Sequence, residues 1–265
     1  MAGHLVGRTL KGWVVRNAAL RWPVDLPAEL AGQTVREVGR RAKYLLVQFE
    51  TGALIVHLGM SGSLRILPAS APVLKHDHVD LALDDGRILR FNDPRRFGSL
   101  HWQPAPVEAH WLLRSLGPEP LQPAFSGTYL KAASRRRKVA VKNFIMDSRV
   151  VVGVGNIYAN EALFLAGIRP ATRASRVTLA RYERLADAIR KVLEDAIAMG
   201  GTTLRDFVNQ DGQPGYFRQS LYVYGRERKP CKVCGTTLKG ARIGQRASVF
   251  CPKCQPAQSM RAQRC

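Results

Sequence analysis

Cys231-Lys232-Val233-Cys234 is followed, sixteen residues further on, by Cys251-Pro252-Lys253-Cys254. One Cys-x-x-Cys pair alone fits a redox site. Two of them flanking a segment short enough to be a single β-hairpin bring four thiolates to the corners of one tetrahedron, the geometry Zn²⁺ takes with sulfur ligands. A set of four cysteines leaves no open coordination position, so the metal it implies is structural: one Zn²⁺ held by Cys231, Cys234, Cys251 and Cys254. Cys265 is left over and reads as an incidental thiol.

Upstream of the knuckles the chain reads as helical. From Leu179 to Met199 apolar residues recur at Leu179, Tyr182, Leu185, Ile189, Val192, Leu193 and Ala196, a 3.6-residue period that Gly200-Gly201 ends. Two shorter helices are expected at 136–146 and 156–166, separated by Val150-Val151-Val152-Gly153-Val154-Gly155, whose glycines suit tight turns. Residues 202–220 are polar and glycine-rich and read as a loop. Further upstream, Pro104, Pro106, Pro118, Pro120 and Pro123 mark a linker near 104–126. Before it the pattern is β. Tyr44–Phe49 turns through Glu50-Thr51-Gly52 into Ala53–Leu58, and Val79–Leu83 turns through Asp84-Asp85-Gly86 into Arg87–Phe91. Asp-Gly between apolar strands is a strong hairpin signal, and hairpins in series imply a β-sandwich. The expected architecture is α+β multidomain: a β-sandwich over 1–110, a helical domain over 111–225 and a zinc-finger hairpin over 226–265.

Lys and Arg number 41 against 20 Asp and Glu, a formal net charge of +21 with a pI near 10.6. An excess of that size points to a polyanionic partner, nucleic acid before anionic membrane. No apolar run approaches the roughly 18 residues a spanning helix needs. Met1-Ala2-Gly3-His4-Leu5-Val6-Gly7-Arg8 has no apolar signal-peptide core. A cytoplasmic, nucleoid-associated protein is expected, with reduced thiols that serve as metal ligands or as bystanders.

Several further stretches carry a resemblance. Arg40-Arg41-Ala42-Lys43-Tyr44-Leu45-Leu46, His57-Leu58-Gly59-Met60-Ser61-Gly62, Lys75-His76-Asp77-His78 and Asp93-Pro94-Arg95-Arg96-Phe97-Gly98 come first. Leu116-Gly117-Pro118-Glu119-Pro120, Gly153-Val154-Gly155-Asn156-Ile157-Tyr158-Ala159, Gly201-Thr202-Thr203-Leu204 and Gly244-Gln245-Arg246-Ala247 follow in order. The chain resembles the bacterial formamidopyrimidine-DNA glycosylases, which excise oxidised purines such as 8-oxoguanine and nick the abasic site. The resemblance implies an N-terminal two-layer β-sandwich, a helix–two-turn–helix domain and a C-terminal zinc finger. It also implies a monomer whose partner is double-stranded DNA carrying oxidised purines or abasic sites. A sister family removes oxidised pyrimidines; the set Met60, Arg95 and Phe97 favours the purine branch.

The same resemblance implies roles for single residues. Lys43, read as lying in a strand beside two arginines, would serve at the lesion phosphate and in β-elimination. Arg246, at the expected hairpin tip, would serve in δ-elimination and phosphate binding, for which a guanidinium has bidentate geometry. His76 would contact DNA. Met60, Arg95 and Phe97 would enter the duplex when the damaged base is flipped out, a step costing a few kcal/mol. Arg137, within Arg135-Arg136-Arg137-Lys138, matches a DNA-binding position, and the run also reads as a phosphate-steering patch. Asn156 reads as a helix N-cap next to free N–H groups that suit a phosphate. Asp211-Gly212-Gln213-Pro214-Gly215-Tyr216 resembles the family's lesion-covering loop.

One departure stands out. The family begins, after removal of the initiator Met, with Pro-Glu-Leu-Pro-Glu. The proline amine attacks the sugar C1′ to form a Schiff base, and the adjacent glutamate is the acid/base. The sequence opening at Met1-Ala2-Gly3-His4 aligns past that segment. Two readings follow: a start codon further upstream, or a chain impaired in catalysis that binds abasic or damaged DNA without cutting it. An in-frame start followed by Pro-Glu-Leu-Pro-Glu codons upstream of Met1 separates them.

Overall fold

Both hairpins read from the sequence form. In the computed structural model, which describes residues 1–199 and 221–257, a short helix α1 (Ala2–Leu5) is followed by strands β1 (Leu10–Val15), β2 (Glu37–Arg41), β3 (Tyr44–Gln48), β4 (Gly52–His57), β5 (Ser63–Pro68), β6 (Asp77–Leu83), β7 (Arg87–Asn92) and β8 (Ser99–Pro104). They make two four-stranded antiparallel sheets, ordered β1-β6-β7-β5 and β2-β3-β4-β8. Leu54, Val56 and Leu100 from one sheet and Val79, Leu81, Leu89 and Phe91 from the other share one buried cluster, so the layers form the expected sandwich. Residues 1–115 constitute one compact unit. No described helix is long and apolar enough to cross a membrane.

This unit also holds an aromatic cluster. Trp22 lies edge-on to Trp111 at 5.0 Å, and the His101 ring lies 5.3 Å from His110 and 5.9 Å from Trp111. Burial and then the neighbouring His110 push His101 down to about 4, and burial lowers His110 as well. In the unfolded chain these imidazoles take up protons near pH 6.5, whereas folded His101 resists down to about 4. The contribution of these two imidazoles to stability is therefore flat above pH 6.5 and falls as pH drops towards 4, because the unfolded state binds more protons there. The His101 share is about 3 kcal/mol. All four tryptophans, Trp13, Trp22, Trp102 and Trp111, lie in this unit. Urea unfolding followed by tryptophan emission should lose midpoint between pH 6.5 and 4.5, and His101→Phe should flatten the loss. An unchanged pH slope in His101→Phe would refute the assignment.

The remaining described residues form the second unit. It contains helices α2 (Gly127–Ala133), α3 (Val141–Met146), α4 (Asn156–Leu165) and α5 (Leu179–Ala198), then strands β9 (Lys239–Ile243) and β10 (Arg246–Phe250). Helix α5 buries Tyr182, Leu185, Ile189, Val192 and Ala196 as its period requires, while Leu179, in its first turn, stays 43% exposed.

The helix expected at 136–146 is shorter. Arg136 takes a left-handed φ of 60°, and Ala140 bridges Arg173, so the backbone turns helical only at Val141. The seven-residue α2, which no sequence period announces, is capped by Ser126 accepting from the Tyr129 N–H. Glu161 on α4 is buried, and its carboxylate accepts the N–H groups of Tyr222, Val223 and Tyr224 at 2.7–2.9 Å. That carboxylate ties the segment entering the finger to the helices. The expectations for Gly200-Gly201, the 202–220 loop, the Asp211–Tyr216 loop and Cys265 lie outside the described residues.

Candidate nucleic-acid interface

In the sandwich unit the candidate residues lie at the ends of strands. Lys43 is not in a strand. With Ala42 it forms the two-residue turn between Arg41 and its partner Tyr44, Ala42 takes a φ of 56°, and the Lys43 side chain is exposed. The two-residue connection, rather than the β-propensity around it, decides that position.

His57, at the end of β4, accepts the Gly59 N–H on Nδ1 at 3.1 Å. Burial, then the charges of Lys43 and Arg21, hold its imidazole below the usual value against the pull of Asp93. The sequence reading does not single out His57, although it lies in the quoted His57-Leu58-Gly59-Met60 stretch. Met60 follows Gly59 on the β4–β5 loop and is 63% exposed. Phe97, on the β7–β8 loop, is 44% exposed, and the Arg95 guanidinium lies 5.0 Å from its ring centre. His76, half-buried, precedes β6 and offers its carbonyl to the Asp93 N–H.

In the second unit, Arg137 is exposed on the turn before α3, where its N–H donates to the Ser134 carbonyl. Asn156 is not the cap of α4. Gly155 occupies that position in extended conformation, and Asn156 is the first helical residue. Gly153-Val154-Gly155 lets the chain turn so sharply that the cap falls one residue early, with Gly153 at a φ of 81°. The Asn156 Oδ1 is buried with no hydrogen-bond partner among the described residues.

Arg246 opens β10 and is exposed beside the two-residue turn Gly244-Gln245, both residues of which have positive φ. A Cβ at Gly244 would lie 2.5 Å from the Asn143 side chain, so only glycine lets the turn rest on α3. Beneath the same hairpin, the fully buried Lys142 donates to the Ala247 carbonyl at 2.7 Å and to the Ser248 hydroxyl at 2.6 Å. Burial and then the Arg246 charge push its amine down to about 8. Nothing in the local sequence distinguishes Lys142 from its exposed neighbour Lys138; only the packing of β10 on α3 does.

The four cysteine sulfurs lie within 4.8 Å of one another, with separations of 3.5 Å from Cys234 to both Cys251 and Cys254 and 4.0 Å from Cys231 to Cys254. A tetrahedral site with Zn–S bonds of about 2.3 Å needs sulfur separations of about 3.8 Å, so the donor set fits one structural Zn²⁺. The Thr236 hydroxyl draws Cys234 down to about 6, while burial pushes Cys251 and Cys254 up. Packed this closely, the four sulfurs need a cation to share their charge. The finger is seated on the helices: the Val249 N–H donates to Asn160 Oδ1, the Gln255 side chain donates to the Ile168 carbonyl, and the Arg169 guanidinium lies 4.7 Å from the Phe250 ring centre.

Three domain families match the chain. Residues 1–100 match the formamidopyrimidine-DNA glycosylase N-terminal domain, 116–208 the formamidopyrimidine-DNA glycosylase H2TH domain, and 228–257 the zinc finger found in FPG and IleRS. The formamidopyrimidine-DNA glycosylase of Stenotrophomonas maltophilia (strain R551-3) is 58% identical over 257 residues, covering 96% of this chain and 95% of its own. That of Pseudomonas aeruginosa (strain LESB58) is 57% identical over 257 residues with the same coverage. Among solved structures, Lactococcus lactis Fpg in complex with DNA containing an abasic site superposes with a TM-score of 0.88 at 29% identity, over 97% of this chain and 95% of that one. The MutM (Fpg) protein of Thermus thermophilus gives a TM-score of 0.85 at 38% identity, over 96% and 93%.

Proposed function

The chain belongs to the formamidopyrimidine-DNA glycosylase family, and on that footing we propose that it acts in base-excision repair, releasing oxidised purines from duplex DNA and cutting the abasic site by β,δ-elimination. The observation that carries the reading is the exposure of Met60 and Phe97, two large apolar side chains on loops, beside Arg95 stacked on Phe97. Apolar groups of that size normally go to the core. Held outward, they suit insertion into a base stack, with Arg95 facing the orphaned base.

Lys43 would meet the lesion phosphate and assist β-elimination. Arg246 would bind phosphate and serve δ-elimination. His76, Arg137 and Asn156 would hold the backbone, the last through an amide whose oxygen has no protein partner among the described residues. The zinc takes no part in the chemistry; it holds the hairpin that presents Arg246.

The test uses the chain preceded by Pro-Glu-Leu-Pro-Glu and processed to a free proline, with duplexes bearing 8-oxoguanine opposite cytosine or an oxidised pyrimidine. Faster release of 8-oxoguanine, leaving phosphate on both sides of the gap, is expected. Faster release of the pyrimidine moves the chain to the sister branch. Binding with no cleavage of either leaves a non-catalytic reader of damaged DNA.

A second expectation concerns charge. Each phosphate contact contributes a log–log salt slope of about −0.9. Arg246→Ala should flatten the slope by about that amount and weaken lesion and plain duplex alike. An unchanged slope removes Arg246 from the phosphate contacts.

A further inference from the structure

Asp93 is fully buried, and every polar atom it carries is engaged. Its Oδ1 accepts the Ser61 hydroxyl at 2.8 Å and the Arg95 N–H at 3.3 Å. Its Oδ2 accepts the Gly98 N–H at 2.8 Å. Its carbonyl accepts the Arg96 N–H at 3.2 Å and His78 Nε2 at 2.8 Å, while its own N–H donates to the His76 carbonyl at 3.1 Å. One residue thus joins three loops: Ser61 next to Met60, the Arg95–Phe97 loop on both flanks, and His76.

The loops also meet backbone to backbone. A Cβ at Gly59 would lie 2.7 Å from the main chain of both Phe97 and Gly98. Met60 is 63% and Phe97 44% exposed, so neither is anchored by full burial, and Arg96 at a φ of 54° adopts a conformation that needs support from its surroundings.

We infer that Asp93 is a positioning residue for base-pair opening, its carboxylate holding the Met60 loop and the Arg95–Phe97 loop as one rigid wedge while its backbone sets His76 beside them. This rests on the reading of Met60, Arg95 and Phe97 as the inserted set. Opening a base pair breaks stacking and pairing, a cost that a wedge can meet only if its parts do not yield on contact. An amide in place of the carboxylate breaks the arrangement whichever way it is turned. With the NH2 at Oδ1 it faces the Arg95 N–H, and with the NH2 at Oδ2 it faces the Gly98 N–H. A donor–donor clash in a buried site leaves both groups without the partner that replaced water.

The experiment compares the wild-type chain with Asp93→Asn, Ser61→Ala and Phe97→Ala. Each is titrated with plain duplex and with duplex containing a tetrahydrofuran abasic analogue flanked by 2-aminopurine, whose emission rises on unstacking. Asp93→Asn should lose about tenfold of the preference for abasic over plain duplex, together with the emission rise, while plain-duplex affinity changes by less than about twofold. That pattern is not the signature of general unfolding, which would lower both affinities together. Wild-type preference and emission in Asp93→Asn, or an equal loss on both duplexes, would overturn the inference. If Asp93→Asn does not fold, Ser61→Ala carries the test: it removes only the 2.8 Å link to the Met60 loop and should cost about threefold in preference, and no change would overturn it. Phe97→Ala separates the two levels. An emission rise that survives in it sinks the wedge reading and the inference together. A rise lost in Phe97→Ala but intact in Asp93→Asn leaves the wedge standing and removes Asp93 from it.

Discussion

Stripping the zinc with a strong chelator, or replacing Cys234 with serine, is expected to unfold residues 228–257 and abolish binding to DNA. The finger buries few apolar side chains of its own: Leu238 and Val249 pack with Cys231, Cys251 and, from outside residues 228–257, Phe164 and Val223; Phe250 is also buried, and most of β9 is exposed. Each fully buried apolar side chain contributes about 1.5–3 kcal/mol, against about 1–2 kcal/mol of backbone entropy for every residue ordered. Three such side chains, Leu238, Val249 and Phe250, cannot order some thirty residues. Apparent zinc-binding energies in sites of this kind run to about 10–16 kcal/mol, and that energy is folding energy. The loss should spread, because Asn160 Oδ1 and the fully buried Lys142 amine both take their partners from β10. Metal analysis should give one zinc per chain, and amide exchange over 228–257 should rise to unfolded rates on chelation. A zinc-free protein that keeps its duplex affinity would show the metal to be dispensable.

The largest kinetic contrast concerns the N-terminal amine. A polypeptide of residues 1–265 alone is expected to bind abasic-site duplex, yet to release 8-oxoguanine at about a thousandth, or less, of the rate of the same chain preceded by Pro-Glu-Leu-Pro-Glu with a free proline. In the proposed step the secondary amine attacks C1′, an N–C1′ bond forms and the bond to the base breaks, the base leaving with a proton from the adjacent glutamate. The C1′–O4′ bond then breaks, O4′ taking up a proton, and the iminium this leaves at C1′ is what allows β-elimination to follow. In residues 1–265 the terminal amine is a primary one, on Met1, whose side chain packs against the sandwich core and whose carbonyl accepts the His4 N–H. Borohydride should trap a covalent adduct with the proline-bearing chain and little or none with residues 1–265. Efficient excision and trapping by residues 1–265 would show the nucleophile to be another amine, with Lys43 the next to replace.

The features legible in the sequence are those with local causes. The β6–β7 hairpin follows from apolar alternation on either side of Asp84-Asp85-Gly86, with Gly86 at a φ of 77°. Helix α5 follows from its period. The misread positions are equally instructive. Lys43 lies within a β-rich run, but a two-residue turn needs no glycine signal when Ala42 accepts a positive φ. Asn156 has the chemistry of a cap, yet Gly155 takes the position because the preceding glycines set where the chain turns. Seven residues of α2 are too few to display a period, although Ser126 supplies its capping signal.

By itself the sequence determined the metal centre, since ligand spacing encodes tetrahedral geometry directly, and the succession of β, helical and finger segments, since hydrophobic periodicity acts over a few residues. Tertiary structure alone decided which ordinary-looking polar residues became buried hubs. Asp93 finds Ser61 thirty-two residues away, Lys142 finds Ser248 at a separation of 106, and Glu161 finds Tyr222, Val223 and Tyr224 at 61 to 63. A charged side chain is buried only where the fold brings it enough donors or acceptors to replace water, and those partners come from chain-distant elements that no local pattern announces.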